Sequence, residues 1–379
     1  MYSIALKMLT GDKGKYFLLV SALSFASLLM TQQGAIFLGL MRWSTSTIRN
    51  TNAAIWVMDP VVEQVNEVQP LRDIDLFRVR SVDDVQWAHP LYFSIQQAKF
   101  SSGKFKSILL MGVDSSTLIG MPSRIHEGNL SHLKETNGVI IDQLAVEKFS
   151  KAQGKPISLG DTFEINDREA KIVGICETEK SFFGYPYVYT TEHKFLDFVP
   201  YRRKNLSFIL VKPKENISAK LVAQAIEKET GLKALTESDF SQETERWIKE
   251  NTGIPLSFYM TVCLGFLVGM AVSCQTFYAF ILENLPYLGV LKAMGVTNQE
   301  LCKLLLIQAL FVGFLGYGIG IGYASIFGNF AFSSKKIPFF WSASLLLFSL
   351  FVVLFICASA ALLGIYKIRK LESAEVFRA

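Results

Sequence analysis

No segment of the chain fits G-x-x-x-x-G-K-[ST], so there is no phosphate loop of the kind that holds a nucleotide for hydrolysis. The nucleophile elbow G-x-S-x-G and the metal helix H-E-x-x-H are missing as well. Histidine is scarce: only His126 and His132 are close among the 4, and a spacing of six does not place them on one helical face. All four, with His89 and His193, read as surface or loop residues. Of the 5 cysteines, Cys176 alone falls between residues 42 and 252, which excludes a disulfide within that segment. An intermolecular bridge through Cys176 stays open, but the run Ala170 to Cys176 reads as a buried strand and favours a core thiol. Cys263, Cys274, Cys302 and Cys357 lie in or beside apolar stretches. The same segment lacks charge of one sign, with about 27 basic against about 28 acidic residues, so the net charge of +5 arises elsewhere. Arg202, Arg203 and Lys204 read as a solvated loop, and nothing points to nucleic acid. The absences exclude the hydrolytic routes that those motifs carry.

What is present is long apolar sequence in an uneven layout. One stretch runs from Tyr16 to Leu40, and three more cover Ile254 to Leu282, Leu304 to Phe332 and Phe339 to Tyr366. The first would rise about 37 Å as a helix, enough to cross a bilayer with some tilt and too long for the apolar part of a cleaved signal. Lys7, Lys13 and Lys15 precede it, and Lys367, Arg369, Lys370 and Arg378 follow the last span. Basic residues stay in the cytoplasm, so both termini are expected inside and the segment 42–252 outside, although Lys335 and Lys336 between the last two spans argue the other way.

The outer segment reads as α+β. Ala53 to Met58 is a strand, Leu71 to Val82 a helix, and Leu91 to Phe100 and Phe105 to Val113 a hairpin turning at Ser101, Ser102 and Gly103, which makes a βαββ unit. Leu206 to Val211, Ser218 to Thr230 closed by Gly231, and Leu232 to Leu235 mirror it as strand, helix and strand, and Ser238 is placed to cap a last helix. Two such halves, 42–113 and 201–252, suggest a split ferredoxin-like domain. Residues 114–200 read as a β-rich insertion with strands at Gly138 to Ile141, Lys155 to Leu159, Asp161 to Ile165 and Glu169 to Ile175. Its aromatic run Phe182, Phe183, Tyr185, Tyr187 and Tyr189 is either an exposed partner or lipid contact or one face of a sheet, and alternation favours the sheet.

Small-x-x-x-small pairs occur at Gly265 and Gly269 and in the series Gly313, Gly316, Gly318, Gly320 and Gly322. Small residues allow close helix approach in lipid, either at a dimer seam or within the chain. Between the second and third spans, Pro286 is suited to the first turn of a new helix, Gly295 to its end, and Thr297 with Glu300 to a capping box. A short helix over 286–294 is expected at the cytoplasmic surface, with Tyr287, Leu288, Leu291 and Met294 on one face and Lys292 elsewhere.

This loop resembles the E-R-x-x-E-[IL]-G-x-L-[RK]-A-x-G-[AV]-[ST] signature of FtsX-type and MacB-type ABC transporter permeases. Glu283, Gly289, Leu291, Lys292, Ala293, Gly295 and Thr297 match it, while Asn284 and Tyr287 replace the usual Arg and second Glu. The ending Arg369 to Arg378, with Ser373 where Pro is common, the start at Ala5-Leu-Lys-Met-Leu and the run Ile55 to Pro60 are similar to the DevC-type branch. The resemblance implies a non-catalytic permease subunit of an inner membrane that binds no metal or cofactor of its own, while the apolar layout divides the chain as 1–41 (N-terminus and first span), 42–252 (outer domain) and 253–379 (remaining spans). It also implies a second permease copy, a separate cytoplasmic ATPase dimer carrying ATP and Mg, and a periplasmic adaptor with an outer-membrane channel. Export of an amphiphilic cargo by mechanotransmission follows, with LolC-type lipoprotein extraction and FtsX-type control of wall hydrolases as alternatives.

Overall fold

A computed structural model describes residues 13–200, 206–334 and 336–369. The N-terminal motif with Lys7, the basic run Arg202 to Lys204, Lys335 and the C-terminal motif from Lys370 onward lie outside the described residues. The chain divides into two compact units, one of residues 1–40 with 253–379 and one of residues 41–252.

Among the described residues four helices are long and apolar enough to cross a membrane: α1 (Lys13–Ser44), which runs on into the second unit, α8 (Ile254–Glu283), α10 (Asn298–Ser334) and α11 (Ala343–Arg369). Apolar residues from all four, among them Leu23, Phe277, Leu305 and Ile356, form one buried cluster. Two hydroxyls there reach backbone carbonyls, Ser24 donating to Val20 in its own helix at 2.7 Å and Tyr317 to Leu346 of the last span at 2.8 Å. The last span begins at Ala343, four residues later than hydropathy places it. Phe339 lies buried beside Ala35 and Ala331, and the Phe340 amide donates to the Ala35 carbonyl at 3.0 Å, so this apolar stretch is an extended segment rather than a helical turn. Gly39 makes room for it, since a Cβ there would meet the Phe339 backbone at 2.4 Å.

The outer unit holds α2 (Ser46–Thr51), β1 (Ile55–Met58), α3 (Asp73–Arg80), β2 (Val85–Lys99), β3 (Phe105–Val113) and β4 (Ile125–Gly128). Then come β5 (Gly138–Asp142), α4 (Gln143–Gln153), β6 (Thr162–Ile165), β7 (Arg168–Cys176), β8 (Tyr187–Thr191) and α5 (Glu192–Phe198). The unit closes with β9 (Phe208–Pro213), α6 (Ala219–Thr230), β10 (Lys233–Thr236) and α7 (Glu237–Asn251). All ten strands join one sheet in the order β10-β1-β9-β2-β3-β8-β5-β7-β4, with β6 beside β2 and β7.

The part β10-β1-β9-β2 is antiparallel throughout and is completed by α3 and α6, which is the split βαββαβ arrangement. Its third strand is β9, not the hairpin strand β3. β3 instead leads outward and pairs in parallel with β8, so the inserted strands extend the same sheet and make it mixed. Apolar residues pack on both faces of this sheet, one cluster including Phe149, Phe195 and Ile226, the other Trp56, Phe208 and Phe240.

Three local expectations are corrected. Lys155 to Leu159 is irregular, because the Ile157 and Ser158 amides are taken by Ser150 Oγ and Asp161 Oδ2 instead of a neighbouring strand. The cap of α7 is Thr236, which accepts from the Asp239 amide at 3.2 Å, and Ser238 sits inside the first turn. The insertion also contains α4, held between an Asp142 cap and Gly154 in the left-handed region, and α5.

Candidate functional site

The loop between the second and third spans folds as a short helix fixed at both ends. Asn284 ends α8, its amide and side chain donating to the Phe280 carbonyl at 3.2 and 2.8 Å, and its own carbonyl receives the Leu288 amide at 3.0 Å. Helix α9 (Leu285–Ala293) follows, with Pro286 in its first turn where a missing N–H costs nothing. Its end is a complete Schellman motif. The Gly295 amide donates to the Lys292 carbonyl and the Val296 amide to the Leu291 carbonyl, each at 3.1 Å, and Gly295 takes φ +93°. Val296 and Leu291 pack on the bundle cluster, which supplies the hydrophobic contact of that motif. Thr297 then caps α10 reciprocally with Glu300: the Thr297 amide donates to Glu300 Oε2 at 2.9 Å and the Glu300 amide to Thr297 Oγ1 at 3.3 Å.

Side-chain directions differ from the expected face. At about 100° per residue, Leu285, Leu288 and Leu291 share one side and Tyr287, Val290 and Met294 another. Leu288 is 2% exposed and Leu285 and Leu291 pack beside it, whereas Tyr287, Val290 and Met294 are 66%, 48% and 68% exposed. The helix is thus anchored by leucines and offers an apolar knob. Ala293 is exposed, while Gly289 and Lys292 are half-buried. Glu283 forms an ion pair with Lys15 at the start of α1.

A second constellation, which the sequence reading does not find, lies at the opposite end of α1. Glu179 Oε1 accepts from Arg42 at 2.5 Å, and Glu179 Oε2 from Arg49 Nε and Nη2 at 3.1 and 2.5 Å. Asn50 pairs with the Glu179 backbone in both directions, each bond 2.9 Å. Burial alone would raise the Glu179 carboxyl, but the two guanidiniums hold it below its ordinary value. Lys180 stands over the Trp43 ring at 5.9 Å. Beneath this clamp, the buried Tyr187 hydroxyl bonds to Ser46 and Thr47 of α2 at 3.0 and 2.8 Å. Asp142 accepts from the Ala145 and Tyr187 amides at 2.6 and 3.0 Å and from the Thr178 hydroxyl at 3.2 Å. Its complete burial pushes the carboxyl up to about 6 against those three donors. The first span's outer end is therefore tied to strand β8 and the loop after β7 by charge, amide pairing and buried hydroxyls together. Only the interval between Arg42 and Arg49, two helical turns, hints at it in the sequence.

His89 is not a surface residue. It lies in β2, largely buried, with Nδ1 3.4 Å from Asp114 Oδ2 and its ring 5.2 Å from that of Trp87. Nδ1 has no hydrogen-bond partner at that distance, so the two form an ion pair only when His89 is protonated. Burial lowers the His89 pKa against the pull of Asp114, while Ser116 and Thr117, donating at 2.5 to 2.8 Å, outweigh burial at Asp114 and bring its carboxyl down to about 2. Cys176 is fully buried, and burial raises its thiol. Among the described residues no three His, Cys, Asp or Glu side chains gather as metal ligands.

Two family models match. Residues 17–229 fit the MacB-like periplasmic core domain and residues 259–373 the FtsX-like permease C-terminal domain. The chain belongs to the MacB/FtsX family of ABC transporter permeases. A permease of Staphylococcus haemolyticus described as a putative hemin transport system permease protein, HrtB, is 29% identical over 38% of this chain and 38% of its own length. An uncharacterized ABC transporter permease of Mycoplasma genitalium is 28% identical over 32% of this chain and 10% of its own length. The chain thus spans well under half of either curated relative. Among solved structures, the extracellular domain of the YknZ transporter from Gram-positive bacteria is 15% identical, covering 48% of this chain and 98% of that one with a TM-score of 0.36. The periplasmic region of MacB from Actinobacillus actinomycetemcomitans is 14% identical, covering 52% and 95% with a TM-score of 0.39.

In this permease the four glycines picked out for helix packing all face the first span. A Cβ on Gly269 would meet Ala26 at 2.6 Å, one on Gly316 Leu23 at 2.6 Å, one on Gly320 Ser27 and the Ser24 carbonyl at 2.6 Å, and one on Gly265 Leu29 at 3.4 Å. Gly313 is filled by Cys357 of the fourth span, whereas Gly318 and Gly322 have nothing within 4 Å. Close approach within the chain accounts for these contacts.

Proposed function

We propose that this permease transmits the ATP cycle of a separate cytoplasmic ATPase pair to its outer domain through α9, moving an amphiphilic cargo on the outer side of the membrane. The observation that carries this is the apolar knob Tyr287, Val290 and Met294 on a helix capped at both ends and rooted by Leu285, Leu288 and Leu291. A short rigid helix with an exposed apolar face fits a groove on a partner, and a push on it reaches the bundle without being absorbed by a flexible loop. Glu283, Pro286, Gly289, Lys292, Ala293, Gly295 and Thr297 frame that knob, with Gly295 and Thr297 setting its exit and Glu283 tying it to α1.

A second permease copy, a periplasmic adaptor, an outer-membrane channel and membership of the DevC-type branch belong to the same proposal and rest on the motif resemblance. Tagged permease purified with its bound partners, with ATPase activity measured on the same sample, tests it. A P-loop ATPase recovered with the parent chain and lost from Met294→Glu supports coupling through α9. Retention of full, cargo-stimulated activity by Met294→Glu and Val290→Glu together would refute it. Recovery of an adaptor separates tripartite export from lipoprotein extraction or control of a wall hydrolase.

A further inference from the structure

The loop between β7 and β8 is more ordered than its lack of regular structure suggests. Gly184, at φ +67°, donates to the Ser181 carbonyl at 2.9 Å, Ser181 Oγ donates to the Tyr185 carbonyl at 2.7 Å, and Lys148 donates to the Gly184 carbonyl at 2.5 Å. The turn holds Phe183 outward, 51% exposed, between an edge contact with Phe182 at 5.2 Å and a stacked contact with Tyr185 at 5.8 Å. Among the described residues of the outer domain nothing covers the outward half of this aromatic tip, although Tyr187 and Tyr189 just beyond it are fully buried.

Its place relative to the bilayer follows from Trp43. At 1.5 Å per residue, helix α1 rises about 42 Å between Lys15 and Trp43. A bilayer with its headgroup layers is about 40–45 Å thick. With Lys15 at the cytoplasmic edge, Trp43 falls in the outer headgroup layer, and a tilt of about 20° moves it inward by only about 3 Å. Lys180 lies over that Trp43 ring, and its neighbour Glu179 is bound to Arg42 and Arg49. The loop is therefore pinned to the interfacial end of the span within a few residues of Phe183. Aromatic rings with Lys and Arg beside them are the composition of a membrane–water boundary, where rings sit among headgroups and ammoniums meet phosphates.

We infer that the loop from Lys180 to Tyr185 is an interfacial anchor that inserts Phe183 among the outer-leaflet phospholipids, with Lys180 beside the Trp43 ring at the level of their headgroups. The occupant of this surface is the bilayer itself. The anchor is independent of ATPase coupling and holds whichever cargo the permease moves.

The test uses the full chain in nanodiscs of phosphatidylethanolamine and phosphatidylglycerol, with Cys263→Ser removing the exposed native thiol. A spin label on Phe183→Cys is compared with labels on Tyr259→Cys, exposed in the second span, and Ser101→Cys, exposed in the hairpin turn. Collision with oxygen relative to a water-soluble nickel chelate should be several-fold higher at 183 than at 101 and approach that at 259. A ratio at 183 equal to that at 101 overturns the inference. Because the label replaces the ring, Phe183→Trp is measured too. Its added fluorescence should be quenched by dibrominated phospholipid, and unquenched added fluorescence overturns the inference equally.

Discussion

Replacing Glu179 with Ala should loosen the outer end of the first span without unfolding the sheet. The change removes one charged hydrogen bond from Arg42 and two from Arg49, and leaves two guanidiniums facing each other. Hydrogen bonds to charged groups contribute about 1.5–3 kcal/mol each. The Arg42 pair, 43% and 33% exposed, belongs with screened surface pairs below about 1 kcal/mol. The Arg49 pair, 25% and 33% exposed, retains more of its strength. Together they give about 2 kcal/mol, which is roughly a 30-fold rise in local opening. Amide hydrogen exchange over 42–51 and 177–181 in the full chain reads that opening, with the central strands β2 and β3 as internal control. The sign with pH is fixed: the Glu179 pKa is depressed, so the stabilisation is complete above about 4.3 and is lost as pH falls through the lower folded value. Unchanged protection of 42–51 in the variant, or a clamp that tightens on acidification, would refute the reasoning.

Asp142 carries the opposite sign. Its folded pKa of about 6 lies above the ordinary value, so its contribution is complete below about 4 and is lost as pH rises through 6; Asp142→Asn should abolish that slope in melting curves whatever it does to the baseline. Gly269→Ala should destabilise the bundle by about 1–3 kcal/mol through the Ala26 clash, while Gly318→Ala is tolerated, as thermal melts in detergent will show. At Gly295, φ +93° makes Gly295→Ala cost about 1–2 kcal/mol at the Schellman turn, with reduced stimulation of the partner ATPase as the readout. Thr297→Ala removes a cap contributing about 1 kcal/mol and should give a smaller loss of the same stimulation.

Elements with strong local signals were legible: the long apolar helices, the hairpin turning at Gly103, the Ser218 to Gly231 helix and the Thr297 capping box all announce themselves within a few residues. Helix α4 also carries a signal, Asp142 before it and Gly154 after it, but its short apolar spacing is masked by the strands on either side. In strand β8 the alternation of Tyr187 and Tyr189 marked their shared core face correctly, but it gave no sign that Val188 on the opposite face is buried as well. The apolar side of α9 turned on which leucines the bundle accepts, a fact of tertiary packing that helical periodicity leaves undetermined. The Glu179 clamp joins residues about 130 positions apart, and beyond the spacing of Arg42 and Arg49 it has no local signature.

The sheet order has a consequence for how the outer domain is made. Strand β1, with Ile55, Trp56, Val57 and Met58 all fully buried, takes both of its neighbours, β9 and β10, from residues beyond 207. As the polypeptide emerges N-terminus first, this apolar tetrapeptide waits with two open edges while some 150 residues are delivered. The inserted strands β3 to β8, whose partners arrive sooner, are placed to fold first and form a template onto which β9 closes the first half. Assembly is expected to proceed from the insertion inward, which pulsed hydrogen exchange during refolding of the outer domain would show as protection of β5 and β7 before β1.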